Sequence, residues 1–217
     1  MATVTISRQM GSLGRQVARQ LADDLNYRMV WRELINQAAR RSGVPEMALA
    51  AIDELGLLDL CPSPEACEAY RQSVKEVMEE LRAQGDVVIV GRAGQVILRN
   101  YPDVLHVRLI APRPLRAERI AQRQSIPLDC ALAQVKASDR YRKKYLRRFY
   151  DVKWGNPELY HLIINTGKVS TSSAAKLIEN ILADPRPLHS RPDNNNLYDD
   201  IAQAQPKVSH GPITSSS

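Results

Sequence analysis

Ten residues near the N-terminus carry the pattern of a phosphate-binding turn: Ser7-Arg8-Gln9-Met10-Gly11-Ser12-Leu13-Gly14-Arg15-Gln16. Such a turn aims backbone N–H groups at anionic oxygens, at the positive end of the helix that follows. The standard spacing is a Gly, four residues, then Gly-Lys and a Ser or Thr. Set on that spacing, the window here runs from Gln9 to Gln16. Gly14 stands at the second Gly and Gly11 adds conformational freedom. Gln9 replaces the first Gly, Arg15 the Lys, and Gln16 the hydroxyl that would touch Mg²⁺. Arg is a good bidentate phosphate partner, so Arg15 suits a β- or γ-phosphate. Gln16 is a poor replacement on the metal. Taken alone, the window also suits an ordinary glycine-containing turn between strand and helix.

Charge points the same way. The formal net charge is +6, unevenly spread. From Lys136 to Lys153 there are eight Lys and Arg against Asp139 and Asp151, and from Arg108 to Arg123 five Arg against Glu118. Such clusters call for an anionic partner, either nucleotide phosphates or a nucleic acid backbone. Arg116, Arg119 and Arg123 recur at i, i+3 and i+7, hence on one helix face; a solvated face is the plain alternative. Tyr141, Tyr145 and Phe149 form a stripe on the later helix, read as core packing. Aromatic residues among basic ones also suit single-stranded nucleic acid. A phosphate-covering lid accounts for the same charge, so nucleic acid is not the expected partner. His106, inside a strand, is read as structural, and Trp154 and Tyr160 as packing residues. Cys61, Cys67 and Cys130 show no metal-ligand or disulfide spacing and are read as packing residues of a reducing compartment. No structural metal is expected.

The elements that must position these residues alternate between strand and helix. Ala2 to Ser7 reads as a buried strand, and Val17, Ala18, Leu21, Ala22 and Leu25 recur at helical spacing after the turn. Tyr27 to Val30 reads as a second strand, followed by helices around Leu34 to Ala39 and from Pro45 to about Leu55. Ser63-Pro64-Glu65 combines a cap, a first-turn Pro and an early acid, and Gly85 stops that helix. Val87 to Val90 is a continuous apolar run, as in a parallel sheet covered on both faces. Val104 to Ile110 and Leu162 to Asn165 read as further strands. Helices are expected from Pro112 to Gln124, from about Ser125 to Tyr150, and from Ser170 to about Ala183. Repeated β-α units imply a parallel sheet flanked by helices. From Asp184 onward Pro, Asn, Ser, Gln and Asp dominate, and a disordered tail is expected.

Several runs in one order resemble the cytidylate kinase-like family, a group of P-loop nucleoside monophosphate kinase-like proteins. They are Ile6 to Arg15, Arg32-Glu33-Leu34-Ile35, Val88-Ile89-Val90-Gly91-Arg92, and Trp154 to Tyr160 through Asn165-Thr166. The resemblance spans about residues 3 to 182. It implies that Gly11, Ser12, Leu13, Gly14, Arg15 and Gln16 cradle a donor triphosphate and that Arg92 faces the acceptor. Arg116, Arg119 and Arg123 resemble the basic helix before the lid. Arg140, Lys144, Arg147 and Arg148 would belong to the lid and its supporting helix. Asn165-Thr166 resembles the loop near the donor base. Two positions depart from the family pattern. Trp31 stands where an acid usually precedes Arg-Glu, and Ala93 stands where true cytidylate kinases carry the Asp that reads cytosine.

The resulting expectation is an α/β, P-loop NTPase-type three-layer sandwich over residues 1–183, with a helical basic lid at about 125–157 and a tail from 184 to 217. The implied activity is transfer of the ATP γ-phosphoryl to a nucleoside monophosphate such as CMP, with nucleotide-borne Mg²⁺. Arg15, Arg92, Arg140 and Arg147 would neutralise charge in that transfer. The alternative is a non-catalytic nucleotide-binding module of the same fold, which Gln16, Trp31 and Ala93 favour. Small nucleotides are the expected partners, the expected compartment is the cytoplasm, and no membrane segment is expected.

Overall fold

The computed structural model describes residues 2–31, 37, 38, 41 and 63–184. Its elements in chain order are β1 (Thr3–Arg8), α1 (Gly14–Leu25), β2 (Arg28–Val30), α2 (Pro64–Gln84), β3 (Val87–Val90), α3 (Gly94–Ile97), β4 (Val104–Ile110), α4 (Arg113–Gln124), α5 (Leu128–Tyr150), β5 (Leu162–Asn165) and α6 (Thr171–Leu182). The expected helices at 34–39 and 45–55 lie largely outside the described residues. So do Cys61 and the tail beyond Asp184.

The five strands form one parallel sheet in the order β2-β3-β1-β4-β5. β1 lies at the centre, pairing Ile6 with Val90 on one side and with Val107 on the other. Every side chain of β1 is buried, because layers cover both faces. On one face Val4, Ile6, Val88, Val90, Leu105, Val107 and Leu109 pack against Val17, Ala18 and Leu21 of α1 and Ala174, Ala175 and Ile178 of α6. On the other face Val87, Ile89 and Val104 meet Tyr70, Val74, Val77, Met78 and Leu81 of α2. Those α2 positions recur at helical spacing and so form one apolar stripe.

The helix ends follow from local sequence. The Ser63 hydroxyl accepts the Ala66 N–H at 3.2 Å, Pro64 occupies the first turn, and Gly85 ends α2 at φ 73°. Ser170 caps α6 in the same way, accepting from the Ser173 N–H at 3.1 Å. Helices α4 and α5 pack on each other through Ala117, Ile120, Ala131 and Val135, with Met10 of the loop after β1 against the same cluster. Tyr145 joins two core clusters, as the aromatic stripe predicts. The reading of the cysteines as packing residues fails at Cys130. Its neighbour Ala131 takes the buried position on α5, which leaves Cys130 exposed as a free thiol.

Candidate functional site: an arginine-lined cleft over the loop after β1

The chain leaves β1 at Arg8 and re-enters helix at Gly14, with Leu13 in the left-handed region at φ 58° and no side chain capping α1. The Gln16 and Val17 N–H groups donate back to the Leu13 carbonyl at 2.9 and 3.1 Å, which leaves those of Gly14 and Arg15 at the start of α1 without an intrahelical acceptor. Gly11, at φ 78°, is required twice over. A Cβ there would strain the backbone and would lie 2.5 Å from the Arg116 carbonyl oxygen. The loop is thus seated directly on α4.

Other groups fix its shape. The Gln9 side-chain oxygen accepts the Ala111 N–H at 3.0 Å, so the residue replacing the first Gly ties the loop to the end of β4. Ser12 is fully buried, and its N–H and hydroxyl both donate to the Gln9 carbonyl, at 3.2 and 2.9 Å. Its own carbonyl accepts from the Thr166 hydroxyl at 2.8 Å. Thr166, also buried, takes its N–H to the Ile110 carbonyl at 2.8 Å. The Asn165 side-chain oxygen accepts the Gly167 N–H at 2.9 Å. Ser12 and Thr166 thus serve the frame of the loop, while Asn165 closes the turn after β5.

The three arginines of α4 separate. Arg116 is only 2% exposed and faces inward. Its guanidinium forms a two-pronged pair with Asp139 of α5, at 3.0 and 2.8 Å, and donates to the Ala111 and Met10 carbonyls at 3.0 and 3.2 Å. It does not reach the cleft. Arg119 does, while donating to the carbonyls of Gly11 at 3.2 Å and Thr166 at 2.8 Å. Burial holds its guanidinium below the usual arginine value. Arg123 is exposed and also lines the cleft.

The cleft measures about 350 Å³ and opens beside Gly11, Leu13, Gly14, Arg15 and Gln16. Besides Arg15, Arg119 and Arg123, the sequence reading missed Arg8, Arg19 and Arg142 in its lining. Arg19 was discoverable, since it follows Arg15 by one helical turn. Arg142 donates to the Ser138 hydroxyl one turn back at 2.7 Å, and at two residues from Arg140 it lies on a different face of α5. Arg15 stacks over Trp31, with its guanidinium carbon 4.4 Å from the ring centroid. The aromatic residue found in place of an acid therefore holds Arg15 by a cation–π contact.

The remaining candidates lie elsewhere. Arg92 is half-buried at φ 52°, in a turn whose neighbours Gly91 and Ala93 also have positive φ, at 88° and 58°. Its charge bears on Tyr70 of α2. Arg140 and Arg147 are exposed on α5, and Arg147 pairs with Asp151 at 3.3 Å. Glu33, in Arg32-Glu33-Leu34-Ile35, lies outside the described residues.

Below the sheet end, Ser7 accepts the Trp154 indole N–H at 2.9 Å. Arg108 donates to the Trp154 carbonyl and lies 4.7 Å from the Trp154 ring and 5.3 Å from the Tyr160 ring. The segment leaving α5 is thereby fastened to β1 and β4, the packing role expected of Trp154 and Tyr160. His106 meets the Thr5 hydroxyl at 2.7 Å, in keeping with a structural histidine. Among the described residues no helix is long and apolar enough to cross a membrane.

Known proteins share this architecture. A cytidylate kinase from Pyrobaculum calidifontis is 29% identical over 177 residues, which cover 82% of this chain and 90% of that protein. The crystal structure of an uncharacterized protein from Eubacterium ventriosum superposes with a TM-score of 0.68 at 22% identity, covering 86% of this chain and all of that one. A shikimate kinase from Bacteroides thetaiotaomicron shares the fold at a TM-score of 0.51 and 12% identity, covering 83% of this chain and 98% of its own. Residues 3–168 match the family as a whole, and the chain belongs to the cytidylate kinase-like family.

Proposed function

We propose that the chain is a nucleotide-dependent phosphotransferase that moves the γ-phosphoryl of ATP to a nucleoside monophosphate or a similar small acceptor. The observation that carries this reading is the arginine-lined cleft above the Gly11–Gln16 turn, in a chain of this family. In the proposed step an acceptor phosphate oxygen bonds to the γ-phosphorus while the bond from that phosphorus to the β–γ bridging oxygen breaks. ADP leaves, and the acceptor becomes a diphosphate. Backbone N–H groups of Leu13 to Arg15 would hold the donor phosphates. Arg15 would leave the Trp31 ring to meet them, and Arg119 and Arg123 would take the charge that develops in transfer. Arg92 would orient the acceptor from the turn after β3. Arg140 and Arg147 would reach the phosphates only on closure of α5 over the cleft.

Two observations favour a second reading, a nucleotide-binding module without turnover. Arg15 is held by Trp31, and no described residue lining the cleft carries a carboxylate able to orient an acceptor. The two readings separate in one assay. ATP is incubated with CMP, UMP, dCMP or AMP, and the products are separated by ion-exchange chromatography. The first reading expects ADP and one nucleoside diphosphate in equal amounts, lost in Arg15→Ala with the fold intact by circular dichroism. ATP binding without product from any acceptor would leave the second.

A further inference from the structure

We infer that the cleft is built for a polyphosphate without its metal, so that Mg²⁺ opposes binding of the nucleotide. The inference deepens the proposed nucleotide reading and rests on it.

Mg²⁺ takes six oxygen donors, and a protein site usually offers it a carboxylate or a hydroxyl beside the substrate phosphates. The described residues lining this cleft offer neither. The only side-chain oxygens are the amides of Gln9 and Gln16, and that of Gln9 already accepts the Ala111 N–H. The one hydroxyl in the loop, Ser12, lies buried and donates to the Gln9 carbonyl. Nor do three His, Cys, Asp or Glu side chains gather anywhere among the described residues. The donor set does not fit a metal held by these residues.

What the cleft does offer is fixed positive charge. Arg15 and Arg19 lie on the first turns of α1, and Arg119 and Arg123 on α4 across the cleft. Among the described residues none of these four forms an ion pair with a carboxylate: Arg15 rests on Trp31, and Arg119 donates to Gly11 and Thr166. The uncapped first turn of α1 adds its partial positive charge at the same place. ATP carries four negative charges without metal and two with it. A site with four uncompensated guanidinium groups therefore gains more from the bare triphosphate, and a divalent cation brought among them is repelled.

The test is calorimetric titration of the full chain with ATP and, separately, with inorganic tripolyphosphate. Each is run in EDTA and in excess Mg²⁺ at matched ionic strength. Binding of both ligands at least about tenfold tighter in EDTA than in Mg²⁺ is expected. ATP binding that requires Mg²⁺, or is tighter with it, overturns the inference and leaves the phosphotransferase reading standing. Tripolyphosphate bound more tightly in EDTA, with ATP bound in neither condition, supports the metal-free anion site and overturns the nucleotide reading. Absence of binding by either ligand in both conditions overturns the nucleotide reading and the inference with it.

Discussion

Arg116 and Arg15 show how far two arginines of one chain can differ in what they hold. Arg116 is almost wholly withdrawn from water, and Asp139 supplies its counter-charge from 23 residues along the chain. Removing the carboxylate leaves a buried charge uncompensated, which typically costs about 3–5 kcal/mol. Asp139→Ala is therefore expected to lower the urea midpoint steeply, a shift read directly by circular dichroism. Arg15 is exposed and rests on one ring. Arg15→Ala is expected to change stability by no more than about 1 kcal/mol, since an exposed cation–π contact contributes about that much. It should nevertheless remove most of the affinity for triphosphate. A midpoint unmoved in Asp139→Ala, or binding undisturbed in Arg15→Ala, would reverse these assignments. The sequence showed that Arg116, Arg119 and Arg123 share a face. Which way that face turns depends on Gly11 and Asp139, both distant in sequence, so its inward-facing member could not be told from its outward-facing one.

At the scale of elements, most of the fold was written in local pattern. Val87 to Val90, Val104 to Ile110 and Leu162 to Asn165 are strands at the expected bounds, and Ser63 and Gly85 bracket α2 as their chemistry requires. The short α3 was not legible. It follows three consecutive positive-φ residues, Gly91 to Ala93, which no apolar period announces. The strand order was equally hidden, because pairing β1 between β3 and β4 is a non-local choice. The contact between the loop and α4 is of the same kind, and it makes Gly11 the residue on which two elements depend. Gly11→Ala forces a side chain into the left-handed region and into the Arg116 carbonyl. A cost of about 1–3 kcal/mol is expected, with loss of triphosphate affinity because the loop must lift from α4. Thermal unfolding and calorimetry on the same variant check both. Normal affinity at lowered stability would show that the seat of the loop does not set its binding geometry.

Across the whole molecule, three tyrosines pack between the sheet and its helical cover, Tyr70 and Tyr160 buried and Tyr150 half-buried. Tyr70 of α2 packs in the core, with burial pushing its hydroxyl up to about 12. Burial also raises Tyr150, at the end of α5, and Tyr160, which donates to the Trp154 carbonyl at 2.9 Å. Each is held in its neutral form in the folded chain, whereas in the unfolded chain it ionises near 10. The unfolded state therefore releases these protons first as pH rises. The stabilisation is fully present below pH about 10 and is lost as pH climbs toward the folded value. For Tyr70 the loss amounts to about 3 kcal/mol by pH about 12, at about 1.4 kcal/mol per unit. The urea midpoint is expected to hold between pH about 8 and 9 and to fall by pH about 11, with phenolate absorbance rising together with unfolding. Tyr70→Phe separates this cause from general alkaline weakening. The Tyr70 hydroxyl is buried and has no hydrogen-bond partner among the described residues, so its removal leaves no acceptor unsatisfied. The variant should match the parent or exceed it at pH about 8 and lose less by pH about 11. An identical alkaline loss in both proteins would mean that Tyr70 already shares its burial with water and that the contact between α2 and the sheet opens more readily than its packing implies.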